Sequence, residues 1–216
     1  MTPYVAKARI ERLAADLWRA HQLEPGFDID ALVEAMGLSF VWLRVDSVDR
    51  PVAAKLWASR RLIILNEGQR ALLDSNVGFY RFSVAHEIGH WELHAAHLRA
   101  GGRELGLVAE TARPGIPAED LMREALRSLV PSEARQEHQA DLFATYLIAP
   151  GDVFRAALAT SGCDGWAQTR HLAESLGFSG EATIVRLEED GLGYRDALGQ
   201  PKRGRRPLPG QHGLGL

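Results

Sequence analysis

Apolar residues recur at helical spacing from the start of the chain. Between Tyr4 and His21, the residues Val5, Ile10, Leu13, Leu17 and Trp18 share one side, which predicts an amphipathic helix. Pro25-Gly26 breaks it. Asp28 or Asp30 is placed to cap a second helix, Ala31 to Met36, which stops at Gly37. Helices therefore occupy 4–36. The pattern then changes to β-branched and aromatic residues over Ser39 to Val45. Pro51 to Trp57 and Arg61 to Asn66 read as two more strands, joined by a tight turn near Ser59-Arg60. Together they predict a small antiparallel sheet over 39–66.

Residues 76–97 predict a helix of another kind. Phe82, Val84, Ala85, Ile88, Gly89, Trp91 and Leu93 leave it apolar on most sides, the signature of a core helix. Ser75 or Asn76 is placed to cap it. After His97 the stretch from Gly101-Gly102 to Pro117 is loose, and Ala118 to Val130 returns to helical spacing. Pro131-Ser132 opens a helix over 132–149, which stops before Pro150-Gly151. Asp152 is placed to cap a helix from Val153 to Thr160. Two short helices follow, about a turn at Gly177-Phe178-Ser179, so helices fill 152–190. The remainder, 197–216, is rich in Gly, Pro and Arg and predicts a disordered basic tail. The pattern is that of an α+β chain with one domain over 1–196. A small sheet packs on the core helix, and the C-terminal half is mainly helical.

Composition narrows the chemistry only a little. The 216 residues carry a net charge of −3, so nothing in the overall balance points to nucleic acid. Cys163 is the single cysteine, which excludes an internal disulfide and a cysteine-rich zinc site. The first residues lack an apolar signal region, and no apolar run is long enough to span a membrane. The expected location is the cytoplasm.

The core helix carries the chemistry. His86-Glu87-Ile88-Gly89-His90 is H-E-x-x-H. Residues four apart lie one turn apart on one helix face, so both imidazoles can reach one metal ion. Glu87 follows the first ligand, where its carboxylate can serve as general base. Buried in an apolar helix, these groups would be costly without a partner, and a metal supplies one. The expected ion is Zn²⁺, with another divalent metal such as Mn²⁺ as the alternative. A catalytic zinc takes three protein ligands. The best third ligand is Glu137, in Glu137-His138-Gln139-Ala140-Asp141, with Asp141 one turn later to hold the far nitrogen of a ligating histidine. Ala140 and Ala144 are small enough for close helix approach. The rivals are His94, His97 and His138. A straight helix cannot bring three successive turns to one ion, so His94 is expected to support the site rather than bind. His97 lies one residue beyond the spacing of a three-histidine motif, and His138 points about 100° away from Glu137. Tyr80, Tyr146 and His171 are the candidates for an oxyanion donor, and the sequence does not choose among them.

These blocks, in this order, resemble the ImmA/IrrE family of metallopeptidases. Arg81 to His94 is similar to the family's signature helix, with Ser83 where Thr is usual. Glu137 to Ala144, continuing to Leu147-Ile148-Ala149-Pro150, is similar to its third-ligand helix. Leu62 to Asn66 resembles the strand ending in Asn, and Leu172-Ala173 with Arg186-Leu187 the closing helices. The resemblance covers roughly residues 5–190. It implies a zincin-like fold and cleavage of a helix-turn-helix transcriptional repressor, in stress response or in phage and mobile-element regulation. The stretch between His90 and Glu137 is longer than the family implies, which makes 100–130 an insertion relative to it. The alternative function is a regulator that binds and inactivates a repressor or antitoxin without cutting it. An intact Glu87 favours hydrolysis, because a purely structural site needs no base. Lys202, Arg203, Arg205 and Arg206 would add a weak, salt-dependent contact to DNA.

Overall fold

The computed structural model describes residues 5–45, 52–95 and 134–206. The predicted insertion over 100–130, His97 and residues 207–216 lie outside the described residues. The chain divides into two compact units, Met1–Ile148 and Ala149–Leu216, where one domain over 1–196 is expected.

In the first unit, α1 (Lys7–Ala20) buries Ile10 and Ala14. The Trp18 indole N–H donates to the Leu147 carbonyl at 2.6 Å, fixing α1 against a later helix. α2 (Ile29–Ala35) starts at Asp28, whose carboxylate accepts from the amides of Asp30 and Ala31. Asp30, the other candidate cap, lies in the first turn. Gly37 then takes a φ of +70°, a left-handed turn that a side chain would resist.

Three strands follow: β1 (Ser39–Leu43), β2 (Ala54–Trp57) and β3 (Leu62–Asn66), in the spatial order β1-β3-β2. β2 pairs antiparallel with β3, placing Leu56 opposite Ile63. β1 pairs parallel with β3, placing Val41 opposite Ile64, so the sheet is mixed rather than antiparallel throughout. The cause is which strand takes the middle. All five residues of β3 are buried, and a strand apolar on both faces belongs between two neighbours. With β3 central, β2 is an edge strand among the described residues. The expected tight turn between β2 and β3 is a 3₁₀ turn, Ala58–Arg60, closed by Arg61 at φ +55°. Leu43, Trp57, Leu62 and Ile64, drawn from all three strands, pack into an apolar cluster.

Asn66 ends β3 and locks the sheet. Its side-chain oxygen accepts from the amides of Val45 and Gly68, at 3.1 and 2.9 Å. Its side-chain nitrogen donates to the carbonyls of Val45 and Val52, at 3.1 and 2.6 Å. All four capacities of this buried amide are filled. One side chain therefore ties together the exit of β1, the entry to β2 and the turn after β3.

After α3 (Arg70–Ser75), Asn76 caps α4 (Val77–His94) by accepting from the Phe79 amide at 2.9 Å. α4 buries Val84, Ala85, Ile88, Trp91 and Leu93, as its sequence predicts. It packs on α5 (Ala134–Ile148), which lies inside the expected 132–149. The two helices meet at Gly89. A Cβ there would stand 3.1 Å from the backbone of Ala140 and 3.3 Å from Phe143 Cβ.

The second unit holds α6 (Gly151–Ser161), α7 (Gly165–Leu176), α8 (Gly180–Glu189) and a hairpin of β4 (Gly193–Arg195) and β5 (Pro201–Arg203). Pro150 occupies the N-cap of α6, so Asp152 sits in its first turn rather than capping it. Ser179 caps α8 by accepting from the Ala182 amide. The buried Arg186 donates to Asp190 at 2.6 Å and lies 4.8 Å over the Phe154 ring. The hairpin corrects the disorder expected over 197–206. Pro201 is buried, the Arg203 amide donates to Asp164, and the Gly204 amide donates to the Leu192 carbonyl. Gly, Pro and Arg content suggested a loose chain, but backbone pairing orders 197–206. Among the described residues, no single helix is long and apolar enough to cross a membrane.

Candidate metal centre

His86 and His90 stand one turn apart on α4 and turn their Nε2 atoms toward each other, 3.0 Å apart. Glu137, in the first turn of α5, brings Oε2 to 3.1 Å from His86 Nε2 and Oε1 to 3.4 Å from His90 Nε2. Among the described residues, these three form a group whose ligand atoms all lie within 4.8 Å of one another. A tetrahedral zinc with bonds of 2.0–2.1 Å keeps its ligand atoms about 3.3 Å apart. The observed separations surround that value. Two imidazole nitrogens and a carboxylate are also the donor set that catalytic zinc takes. The side chains therefore fit the ion and chelate a divalent metal such as Zn²⁺. The imidazoles are enclosed, with His86 15% and His90 11% exposed, whereas Glu137 is 43% exposed. Glu137 is the most exposed of the three ligands.

The approach of the two helices makes this possible. Gly89 faces Ala140 between the two histidines and Glu137's helix, and a larger pair would hold α5 away. One turn beyond Glu137, Asp141 Oδ1 lies 2.8 Å from His86 Nδ1. A carboxylate there accepts the Nδ1 proton and leaves Nε2 for the metal. Burial by itself lowers the proton affinity of His86. The hydrogen bonds to Asp141 and Glu137 outweigh it and raise the pKa from 6.5 to about 10. The pull that holds a proton here is the pull that attracts a dication.

His90 has its own support. His90 Nδ1 lies 3.0 Å from His94 Nδ1, and His94 Nε2 lies 3.2 Å from Gln139 Oε1. The Gln139 amide nitrogen donates to the Val5 carbonyl at 2.9 Å. Burial lowers the pKa of His94, with its hydrogen bond to Gln139 opposing that shift. His94 thus meets His90 on the ring edge away from the cluster. His138, next to Glu137, is exposed and is not a member of the cluster.

Glu87 is only 4% exposed. Its Oε2 accepts from the Leu56 amide at 2.6 Å, so the carboxylate is pinned to the edge strand β2. The oxyanion candidates lie on three different helices, α4, α5 and α7. The Tyr80 hydroxyl donates to Asp30 on α2 at 2.8 Å, and burial followed by that bond pushes its phenol pKa up. Tyr146 is buried near the end of α5, nine residues or about 13 Å along the helix from Glu137. His171 lies exposed on α7 in the second unit.

Two participants are not legible as site residues in the sequence. Leu56 contributes a backbone amide, which any residue type would supply. Gln139 did leave a trace, a polar residue at a position that packing makes 4% exposed. Such a residue must find partners, and it finds His94 and Val5.

Comparison with known proteins agrees with this geometry. No curated protein is similar enough to the chain to count as a match. A peptidase M78 family model, described as the IrrE N-terminal-like domain, matches residues 52–188, from β2 to α8. That span is more than half of the chain and contains all three ligating side chains. The chain therefore belongs to the IrrE N-terminal-like metallopeptidase family, and its His86, His90 and Glu137 make it a zinc-dependent hydrolase.

Proposed function

We propose that the protein cuts a peptide bond in a protein partner in the cytoplasm. The partner we infer is a helix-turn-helix transcriptional repressor of a stress-response, phage or mobile-element circuit. The observation that carries the hydrolytic reading is Glu87, a buried carboxylate beside a metal ligand and tied to an edge strand. A site that only held metal for structure, or a surface that only bound a partner, would have no use for it. The repressor is supported by the resemblance to ImmA/IrrE proteins.

His86, His90 and Glu137 would hold the ion. Zinc, when bound there, supplies a Lewis acid that polarises a carbonyl and acidifies water. Glu87 does the proton work. With Oε2 held by the Leu56 amide, Oε1 takes the proton from water and returns it to the leaving amine. Asp141 holds His86 in the ligating tautomer. The outer edge of β2 offers backbone groups to an extended peptide, which would add as a further strand. The exposed Lys202, Arg203, Arg205 and Arg206 would add weak, salt-sensitive attraction to a DNA-bound partner.

The test is cleavage of a helix-turn-helix repressor encoded beside this protein, followed by mass spectrometry. Zinc-loaded protein should yield two fragments at one site. Glu87→Gln should retain zinc and lose about 10²–10⁴-fold in rate. A Glu87→Gln protein that still cuts at the wild-type rate would overturn the assignment of the base. Tight repressor binding with no fragments would favour the binding-only regulator.

A further inference from the structure

We propose that His94 and Gln139 are positioning residues for His90, and that the Val5 carbonyl sets the direction of their hydrogen-bond relay. This deepens the metal reading and rests on it. A backbone carbonyl can only accept. The Gln139 atom 2.9 Å from Val5 O must therefore be its NH₂, which turns its oxygen toward His94. That oxygen also only accepts, so His94 Nε2, at 3.2 Å, carries a proton. A neutral His94 then presents a lone pair at Nδ1. His90 Nδ1, 3.0 Å away, must donate to it. With its proton on Nδ1, His90 presents the Nε2 lone pair to His86 and Glu137, on the cluster side of the ring. Each step follows from the one before, and the start is a main-chain atom that has no alternative role.

The two ligating imidazoles thus receive opposite kinds of support. His86 is held by an anion, Asp141, on the same helix as Glu137. His90 is held by a neutral chain that crosses from α4 to α5 and ends at Val5, two residues before α1. A second carboxylate beside His90 would add negative charge to a centre that already holds Glu137 and Asp141. A neutral relay fixes the tautomer without it.

The test uses the full-length, zinc-loaded protein with ¹⁵N-labelled histidine and long-range ¹H–¹⁵N correlation spectra. His90 should carry its proton on Nδ1, and His94 should carry its own on Nε2. His94 protonated on Nδ1, or on both nitrogens, would overturn the relay while leaving the zinc reading intact. Failure of the wild-type protein to bind zinc would overturn that reading and the relay with it. A variant series gives an independent measure. His94→Phe should weaken zinc by about 10–100-fold. His94→Asn, whose side-chain oxygen can accept from His90 Nδ1–H, should recover most of that loss. Equal zinc affinity in His94→Phe and the wild type would count against the relay. Where His94→Phe fails to fold, the wild-type spectra decide alone.

Discussion

Glu137 and Asp141 sit one turn apart on α5, yet substitution should separate them. Glu137 supplies an oxygen to the cluster, so Glu137→Ala should abolish zinc binding in a titration. Asp141 only orients His86, so Asp141→Ala should weaken zinc by about 10–100-fold. Equal effects would mean that the two carboxylates share the ligand role. His86 adds a pH dependence. Its pKa is raised to about 10 from 6.5, so the folded chain holds this proton more tightly than the unfolded chain does. In chelator-treated protein, the resulting stabilisation is complete below pH ~6.5 and is lost as pH rises toward about 10. Zinc must displace the same proton. Its affinity should therefore rise up to about tenfold per pH unit between pH 7 and 9, with proton release visible by calorimetry in buffers of different ionisation enthalpy. A flat affinity over that range would contradict the protonation assigned to His86. The ligands were legible in the sequence because H-E-x-x-H and E-x-x-x-D convert spacing directly into a shared helix face. The Leu56 amide was not, because a backbone donor has no residue signature.

At the scale of elements, the close approach of α4 and α5 is what closes the centre. Gly89→Ala would push a methyl group to 3.1 Å from the Ala140 backbone, which cannot swing aside. The expected cost is about 1–3 kcal/mol of stability together with weaker zinc binding, read by denaturant titration and metal titration. Unchanged values would show that the helices have slack at this point. Asn66 makes a comparable demand on the sheet. Asn66→Ala strands the Val45 and Val52 groups that it satisfies and should cost at least about 2 kcal/mol. Asn66→Asp should fare no better, since a carboxylate would face two carbonyls. The strands themselves were legible from their β-branched and aromatic runs. Their order was not, because three runs along a chain do not say which one lies between the others. The burial of β3 on both faces decides it.

At the scale of the whole molecule, the two units differ in how openly the sequence declares them. The first follows from the core helix and from the need of its histidines for a partner. In the second, the helices follow from spacing, but the end of the chain does not. Pro201 and the backbone bonds from Arg203 and Gly204 make β5 part of the structure. Truncation after Gln200 should therefore lower the melting temperature by about 5 °C or more. An unchanged melting curve would show that the hairpin contributes nothing. The expectations for the metal centre depend on His86, His90 and Glu137 binding zinc together. The X-ray absorption spectrum of the zinc-loaded protein tests it most directly. Only nitrogen and oxygen neighbours are expected, at about 2.0–2.1 Å, with the outer-shell scattering of two imidazoles. A sulfur neighbour near ~2.3 Å, or scattering from a single imidazole, would contradict it.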